Sequence, residues 1–154
     1  MSSPYTCPLS ELPFSVEIHE LLEGAYEIPF PLECRFLLHA SPCLRYRLEL
    51  EEKILAYCPD TGLCENAVLL AEDADLLIAE RSLRPGESHP QWPHLNPEET
   101  AQIARQANAK RLVLVHFDAN RYRTVQERFE ALRTISGFGN VVAAQDDMVL
   151  KLWQ

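Results

Sequence analysis

The stretch PHLNPEETAQIARQANAKRLVLVH, residues 93–116, predicts one helix followed by one buried strand. Asn96 is a favourable N-cap, Pro97 suits the first helical position, and Glu99 can complete a capping box. Alanines recur at helical spacing after this start, and the apolar run that follows predicts a strand ending at His116. A helix that leads into a buried strand in this way is typical of a parallel βαβ unit.

Towards the amino terminus, the pattern changes to the alternation expected of antiparallel strands. Residues 16–18, 34–38 and 44–50 alternate in this way, and a polar turn at 51–53 leads into the strand ILAYCPD. We therefore predict antiparallel hairpins over the first 60 residues.

After Gly62 the pattern predicts a short helix over 64–72, a buried strand over 74–79 and a proline-rich loop over 81–93. Beyond His116, one face of a last helix is marked by Val125, Phe129 and Leu132, and a terminal hairpin is predicted from 141–144 and 148–152. The expected fold class is α/β, with antiparallel hairpins followed by βαβ units in a mixed sheet that carries helices on one face.

Length and composition predict a single domain over residues 1–154, because 47% hydrophobic and 24% charged residues are typical of a globular protein. No apolar run approaches the roughly 20 residues of a membrane-spanning helix, and the start lacks a signal-peptide pattern, so we expect a cytoplasmic protein without a membrane partner. The five cysteines are odd in number and show no CxxC pair, which favours reduced thiols.

The net charge of -9 argues against a broad phosphate-binding surface, so RNA is not an expected partner of this chain alone.

Three residues with metal-binding side chains follow predicted strands, namely His39, Asp60 and His116. The carboxyl ends of parallel strands meet at one edge of a sheet, so these residues are able to converge. Two imidazoles and a carboxylate suit zinc, manganese or iron. Taken singly, each histidine is more typical of a capped or surface residue than of a ligand, and an Asp before Thr-Gly is most often a turn residue.

Five segments follow one another along the chain, namely LEGAYEI, LLHASPCLRYRL, ILAYCPDTG, ADLLIAERS and the block from residue 93. In this order they resemble segments of ribonuclease Z and related hydrolases of the metallo-β-lactamase superfamily, and the resemblance covers the carboxy-terminal half of that αββα sandwich. LEGAYEI with LLHASPCLRYRL resembles the family segment whose histidine, here His39, binds metal. ILAYCPDTG resembles the segment whose aspartate, here Asp60, bridges two metals. ADLLIAERS places Glu80 on the family's glutamate, and the block from residue 93 places His94 and His116 on its last two histidines.

The resemblance implies that His39, Asp60 and His116 are metal ligands and that Asp60, Glu80 and His94 are catalytic. Two cations about 3.5 to 4 Å apart would then activate water for attack on a phosphodiester or related ester. His94, oriented by Glu80, would stabilise charge on the substrate or protonate the leaving group. The alternatives are that His94 is a solvated loop residue and that Glu80 is a strand-end carboxylate without a special partner.

The sequence departs from that family because none of its five histidines forms the HxHxDH segment or even an HxH pair. Three interpretations stay open. The chain is a metal-dependent hydrolase domain that needs a complementing amino-terminal half, a non-catalytic binding or structural domain that forms a homodimer, or a hydrolase whose dimer assembles two partial sites. Association is expected because a half-sandwich leaves the apolar side chains of Leu44, Tyr46 and Leu48 on an open sheet face.

Overall fold

The computed structural model describes residues 8–152, and within these residues seven strands form one sheet flanked by three α-helices. A single 3-10 turn over Leu9–Glu11 precedes them. The strands are β1 (Gly24–Glu27), β2 (Pro31–Phe36), β3 (Leu44–Leu50), β4 (Lys53–Cys58), β5 (Leu76–Glu80), β6 (Leu112–Val115) and β7 (Val141–Ala143). The helices are α1 (Glu65–Ala71), α2 (Pro97–Gln106) and α3 (Val125–Leu132).

The order of strands in the sheet is the order in the chain, from β1 to β7. Neighbours from β1 to β4 are antiparallel, whereas β4 to β7 are parallel to one another. Because β2 is separated from β4 by one antiparallel strand, β2 runs in the same direction as β4, β5 and β6. The carboxyl ends of these four strands therefore lie at one edge, and the predicted mixed α/β sheet is confirmed.

Local signals explain the helix starts. Asn96 accepts a hydrogen bond from the Glu99 backbone N–H while the Glu99 side chain accepts from the Asn96 N–H, so the predicted capping box is present. Thr124 and Glu127 form a second capping box at the start of α3. Each box satisfies backbone donors that the first helical turn leaves without partners.

The core lies between the sheet and α1 and α2. Small residues face inward on α2, with Ala101 and Ala104 buried against the strand residues Leu77, Leu112 and Leu114. Their short side chains allow helix and sheet to approach closely, which fixes the loops at the carboxyl ends of the strands.

The opposite face of the sheet is only partly covered along β3 and β4. Arg47 donates to carbonyl groups of α1, so alternation places Tyr46 and Leu48 on the far face, and Tyr57 lies opposite Tyr46 there. Tyr57 is 40% exposed, and Tyr46 and Leu48 are half-buried.

Two predictions about secondary structure are wrong. Residues 16–18 form no strand, because no neighbouring strand pairs with them. Residues 148–152 form no second strand of a terminal hairpin; β7 instead pairs in parallel with β6. The predicted last helix is present as α3, where Val125 and Phe129 are exposed.

Two further observations concern helix length and thiols. None of the helices in residues 8–152 has the length and apolar character needed to cross a membrane. Four cysteines, Cys34, Cys43, Cys58 and Cys64, are free thiols, and Cys7 lies outside the described residues.

Candidate metal centre

Two of the residues predicted as metal ligands meet at the carboxyl edge of the sheet. Asp60 lies two residues beyond β4 and His116 directly follows β6. The Asp60 Oδ1 atom is 3.0 Å from Nε2 of His116. The parallel arrangement of β4, β5 and β6 produces this contact, since it brings the ends of strands distant in sequence to one edge.

Glu80 ends β5, between these two strands, and holds His94. The His94 Nδ1 atom lies 2.9 Å from both carboxylate oxygens of Glu80, and both side chains are buried. Because a carboxylate only accepts hydrogen bonds, Nδ1 carries the proton and Nε2 is the free ring nitrogen. Glu80 also accepts from the backbone N–H of Thr61, so its oxygens are used within the protein.

Together the four side chains form one compact donor group. One ligand atom from each of Asp60, Glu80, His94 and His116 lies within 4.8 Å of the others. Two donors on one zinc ion are at most about 4.4 Å apart, given metal–ligand distances of 2.0 to 2.2 Å. The group is therefore slightly wider than the shell of one divalent cation, and Asp60 and His116 are the members whose donors are not held by the Glu80–His94 pair.

His39 lies next to this group rather than within it. Its ring centroid is 5.5 Å from that of His94, and its Nδ1 faces the N–H and hydroxyl of Ser41 at 3.4 Å. β2 ends at Phe36, so His39 belongs to the following loop and not to the strand tip that the pattern predicted.

Ser82 determines which nitrogen His116 presents to the centre. Its hydroxyl donates to the His116 carbonyl at 2.9 Å and lies 2.9 Å from Nδ1. With its proton donated, the hydroxyl accepts from Nδ1–H, so Nε2 is the nitrogen that faces the centre. Nε2 lies 3.0 Å from Oδ1 of Asp60 and donates to it, and it would release this proton on binding a cation.

Arg45 is a second residue that the sequence did not point to. Its Nη2 is 3.2 Å from Oδ2 of Asp60, and its other nitrogens donate to the carbonyls of Pro59 and Leu44. Arg45 lies on β3, where its only sequence signal is a place in an alternating strand. The guanidinium therefore neutralises one oxygen of the carboxylate that the resemblance assigns to two metals.

The backbone is unusual at both ligand candidates that follow strands. Asp60 has φ 51° and His116 has φ 52°, both in the left-handed region. Asp and His adopt this region more often than most residues, yet such conformations concentrate at functional sites. The turn after each strand directs both side chains towards the same point. Asp60 is therefore both a turn residue, as its sequence context predicted, and a member of the group.

Electrostatic effects in the group favour charged side chains. The Glu80 carboxylate, 3.9 Å from Nδ1, raises the pKa of His116; Asp60 adds to this and partial burial opposes it. Burial raises the pKa of Glu80, but interactions with His116, Ser82, His94 and the Thr61 N–H outweigh burial and lower it overall. The pKa values of Glu80 and His116 are thus shifted in opposite directions, because the charged form of each side chain stabilises the charged form of the other.

The alternative interpretations of two residues are wrong, because His94 is 5% exposed rather than solvated and Glu80 has specific partners. The two remaining histidines, His19 and His89, lie outside the group. His19 is exposed and pairs with Glu17, and His89 is exposed and contacts Arg121.

Comparison with known proteins gives consistent matches. Residues 9–117 match the family described as beta-lactamase superfamily domain. Ribonuclease Z from Thermobifida fusca is 39% identical over 98 residues, which are 62% of this chain and 31% of that protein. Ribonuclease Z from Bacillus licheniformis is also 39% identical over 98 residues, 61% of this chain and 31% of that protein.

Solved structures share the fold. The metallo-beta-lactamase fold protein YhfI from Bacillus subtilis has a TM-score of 0.63 at 27% identity, covering 76% of this chain and 47% of that chain. The short form of human tRNase Z has a TM-score of 0.60 at 24% identity, covering 80% of this chain and 44% of that chain, a likeness of fold alone.

The chain spans less than a third of the length of these ribonuclease Z relatives and less than half of the solved chains. The family match nevertheless extends over more than half of its own 154 residues. This chain belongs to the beta-lactamase superfamily, as the resemblance in its sequence predicted.

Proposed function

We propose that this chain is a metal-dependent hydrolase domain that acts on phosphodiesters or related esters and needs further ligands from a complementing chain for full activity. The observation that carries the proposal is the group formed by Asp60, Glu80, His94 and His116 at the carboxyl edge of the sheet. Zinc, manganese and iron are the cations that such donors suit.

The four residues of the group divide into two roles. Asp60 and His116 are partly open to solvent, and we assign them, with His39 from the neighbouring loop, as metal ligands. Glu80 is fully buried and already accepts from His94 and Thr61, which favours a role in orienting His94 over a role as ligand.

A bound divalent cation would supply Lewis acidity and an activated water for attack on the ester. His94 then has a defined task, because its Nδ1–H is held by Glu80 and its Nε2 is free to exchange a proton with the substrate. Glu80 fixes the orientation of the ring, from which Nε2 would deliver a proton to the leaving group. Asp60, which the resemblance also assigns to catalysis, holds its carboxylate towards His116.

Elemental analysis tests the ligand assignment. Zinc, manganese and iron are measured on the wild type, on Asp60→Ala with His116→Ala, and on His19→Ala as a control at an exposed histidine outside the group. We expect metal in the wild type and the control and its loss in the double variant. Equal metal content in the wild type and the double variant would contradict the assignment.

Hydrolysis of bis(4-nitrophenyl) phosphate tests catalysis separately. We expect little or no activity from this chain alone, because no HxH pair is present in its sequence to add ligands.

The free thiols of the described cysteines fit a reducing compartment, and we propose a cytoplasmic location.

A second candidate function is a non-catalytic domain that associates through its sheet. The partly covered face that carries Tyr46, Leu48 and Tyr57 favours it, since apolar surface of this kind commonly marks an interaction site. A second copy of the chain is the proposed partner. Light scattering distinguishes the two ideas: a dimer without metal supports this second function, and a stable monomer rules out self-association.

A further inference from the structure

The segment FSVEIH, residues 14–19, lies before β1 and belongs to no helix or strand. Its apolar side chains alternate with polar ones, as in a strand that has one apolar face. Among residues 8–152, however, no group donates a hydrogen bond to its main chain or accepts one from it. The N–H and carbonyl groups of the segment are therefore free to pair with a strand of another chain.

The apolar side chains of the segment face solvent. Phe14 is 64% exposed, Val16 42% and Ile18 71%. Single exposed apolar residues are ordinary on a protein surface, but three at alternate positions along an unpaired main chain indicate an interaction site. The alternation also indicates the kind of contact, because it suits addition to a sheet rather than binding in a helical groove.

Two hydrogen bonds hold the chain just after the segment against the sheet. The Leu22 N–H donates to the hydroxyl of Tyr26 at 3.1 Å, and the Glu23 carboxylate accepts from the Phe36 N–H at 2.7 Å. The segment therefore ends at a fixed point beside β1 and β2. This attachment limits the conformational entropy that is lost when the segment pairs with a partner.

The charge of the segment and its surroundings indicates the chemistry of the partner. The first 34 residues contain no lysine or arginine but six glutamates, namely Glu11, Glu17, Glu20, Glu23, Glu27 and Glu33. Like charges opposite each other across a strand pair are destabilising, whereas opposite charges stabilise the pair. A second copy would bring Glu27 on its β1 edge and a further net charge of -9, so it is disfavoured as the partner. The segment instead suits a sheet edge that carries lysine or arginine.

We propose that residues 14–19 are the docking strand through which this chain adds to the basic edge of a β-sheet in its complementing chain. This inference rests on the proposed function, which requires such a chain, and it names the surface and the chemistry of the contact. Main-chain hydrogen bonds supply the affinity, and alternate side chains supply the specificity. Phe14, Val16 and Ile18 pack on the apolar face of that sheet, while Glu17 meets its basic residues.

A designed β-hairpin peptide serves as the probe, because its two strands offer an edge and a third strand makes a small sheet stable. Its strands alternate valine and lysine and are joined by an Asn-Gly turn. A second peptide carries glutamate at every lysine position. In isothermal titration we expect the lysine peptide to bind at least about fivefold more tightly than the glutamate peptide. Equal affinity, or no binding of the lysine peptide, would overturn the proposal.

Hydrogen exchange followed by mass spectrometry locates the contact. With the lysine peptide bound, the amides of residues 14–19 should exchange more slowly, while those of β7, an edge strand of the sheet, should be unchanged. Protection confined to β1 or β7 would show that the peptide adds to an ordinary sheet edge, and the docking strand would then be wrong.

Matched variants test the segment directly. Val16→Pro removes a backbone donor and Ile18→Ser removes an apolar contact, so each should weaken binding of the lysine peptide at least about fivefold. Val149→Pro, at a valine that is 85% exposed outside the segment, should leave binding unchanged. Because the segment is unpaired in the chain alone, all three variants should unfold at the urea concentration of the wild type. Binding that survives Val16→Pro, or that is lost equally in Val149→Pro, contradicts the proposal.

Light scattering and metal content separate the remaining outcomes. A dimer of the chain alone in which residues 14–19 are protected would identify a second copy as the occupant and overturn the proposal. Metal bound by a chain that does not bind the lysine peptide overturns the docking strand and leaves the proposed metal centre standing. Binding of the lysine peptide at residues 14–19 by a chain without metal supports the docking strand and contradicts the hydrolase proposal.

Discussion

Arg45 and Asp60 form an ion pair at the edge of the candidate metal centre, with 3.2 Å between Nη2 and Oδ2. His116 contacts the other oxygen, Oδ1. A carboxylate can bridge two metals through both of its oxygens or through one, and here a guanidinium of this same chain contacts Oδ2. While Arg45 stays paired with Asp60, only a bridge through Oδ1 is open to this carboxylate.

We predict that the chain binds one zinc ion at saturation, because its sequence has no HxH pair to hold a second ion and Arg45 contacts Oδ2 of Asp60. The measurement is zinc per chain after dialysis against buffered zinc, with Asp60→Ala expected to lose the ion. A ratio of two in the wild type, reduced to zero in Asp60→Ala, would contradict the prediction.

Gly62 allows the loops of the centre to approach one another. A Cβ at this position would lie 3.0 Å from Cβ of Pro93 and 3.1 Å from Cδ2 of Leu38. We predict that Gly62→Ala lowers the free energy of unfolding by about 1–3 kcal/mol, the usual effect of overpacking. Zinc affinity should fall as well, because Pro93 precedes His94 and is displaced. In Gly139→Ala, where the added Cβ meets nothing within 4 Å, thermal unfolding and zinc affinity should be unchanged.

Asp75 should make stability depend on pH. Its carboxylate accepts from the Ile54 N–H, Lys110 and Lys53, and these interactions, led by the Ile54 N–H, hold its pKa well below the ordinary value against the opposing effect of burial. A lowered folded-state pKa stabilises the fold above the unfolded pKa of about 3.9 and loses that effect as pH falls further.

We therefore expect Asp75→Asn to reduce the free energy of unfolding at pH 7 by about 1–2 kcal/mol, as for hydrogen bonds to charged groups. The difference from wild type should shrink as pH falls below about 4. Urea unfolding across this range provides the measurement, with the exposed Asp146→Asn as control. A difference that does not change with pH would contradict the charge-based explanation.

Cys58 should be the slowest described thiol to react. It is fully buried, and burial, with a smaller effect of Cys64, raises its pKa to about 12. Because the thiolate is the reactive form, iodoacetamide should modify Cys58 at least about tenfold more slowly than the partly exposed Cys43 in the native chain. Peptide mass spectrometry measures both rates, and in urea they should become similar. Equal rates in the native chain would disprove the prediction.

The parts of the fold that were predicted correctly depend on short-range signals. The Asn96 capping box and the strand that immediately precedes His116 are encoded within a few residues, and both are present. Residues 16–18 show the limit of such signals, because alternation produces a strand only where a neighbour pairs with it. The same limit applies near the carboxyl end, where β7 pairs in parallel with β6 instead of forming a hairpin with residues 148–152.

The candidate centre was likewise predicted only in part. The sequence pointed to His39, Asp60 and His116 through their positions after strands, and to Glu80 and His94 through resemblance. It did not show that Ser82 sets the His116 tautomer or that Arg45 pairs with Asp60, because both residues occupy ordinary positions in the pattern. Nor did it show that His39 lies beside the donor group rather than in it.

By itself, the sequence determined the succession of strands and helices, the family, and the residue types able to hold a cation, because periodicity, capping and motif order are properties of the chain alone. Only the tertiary structure decided which of those residues meet. Four strands pointing the same way bring their ends to one edge, and the distances there make Asp60 and His116 partners.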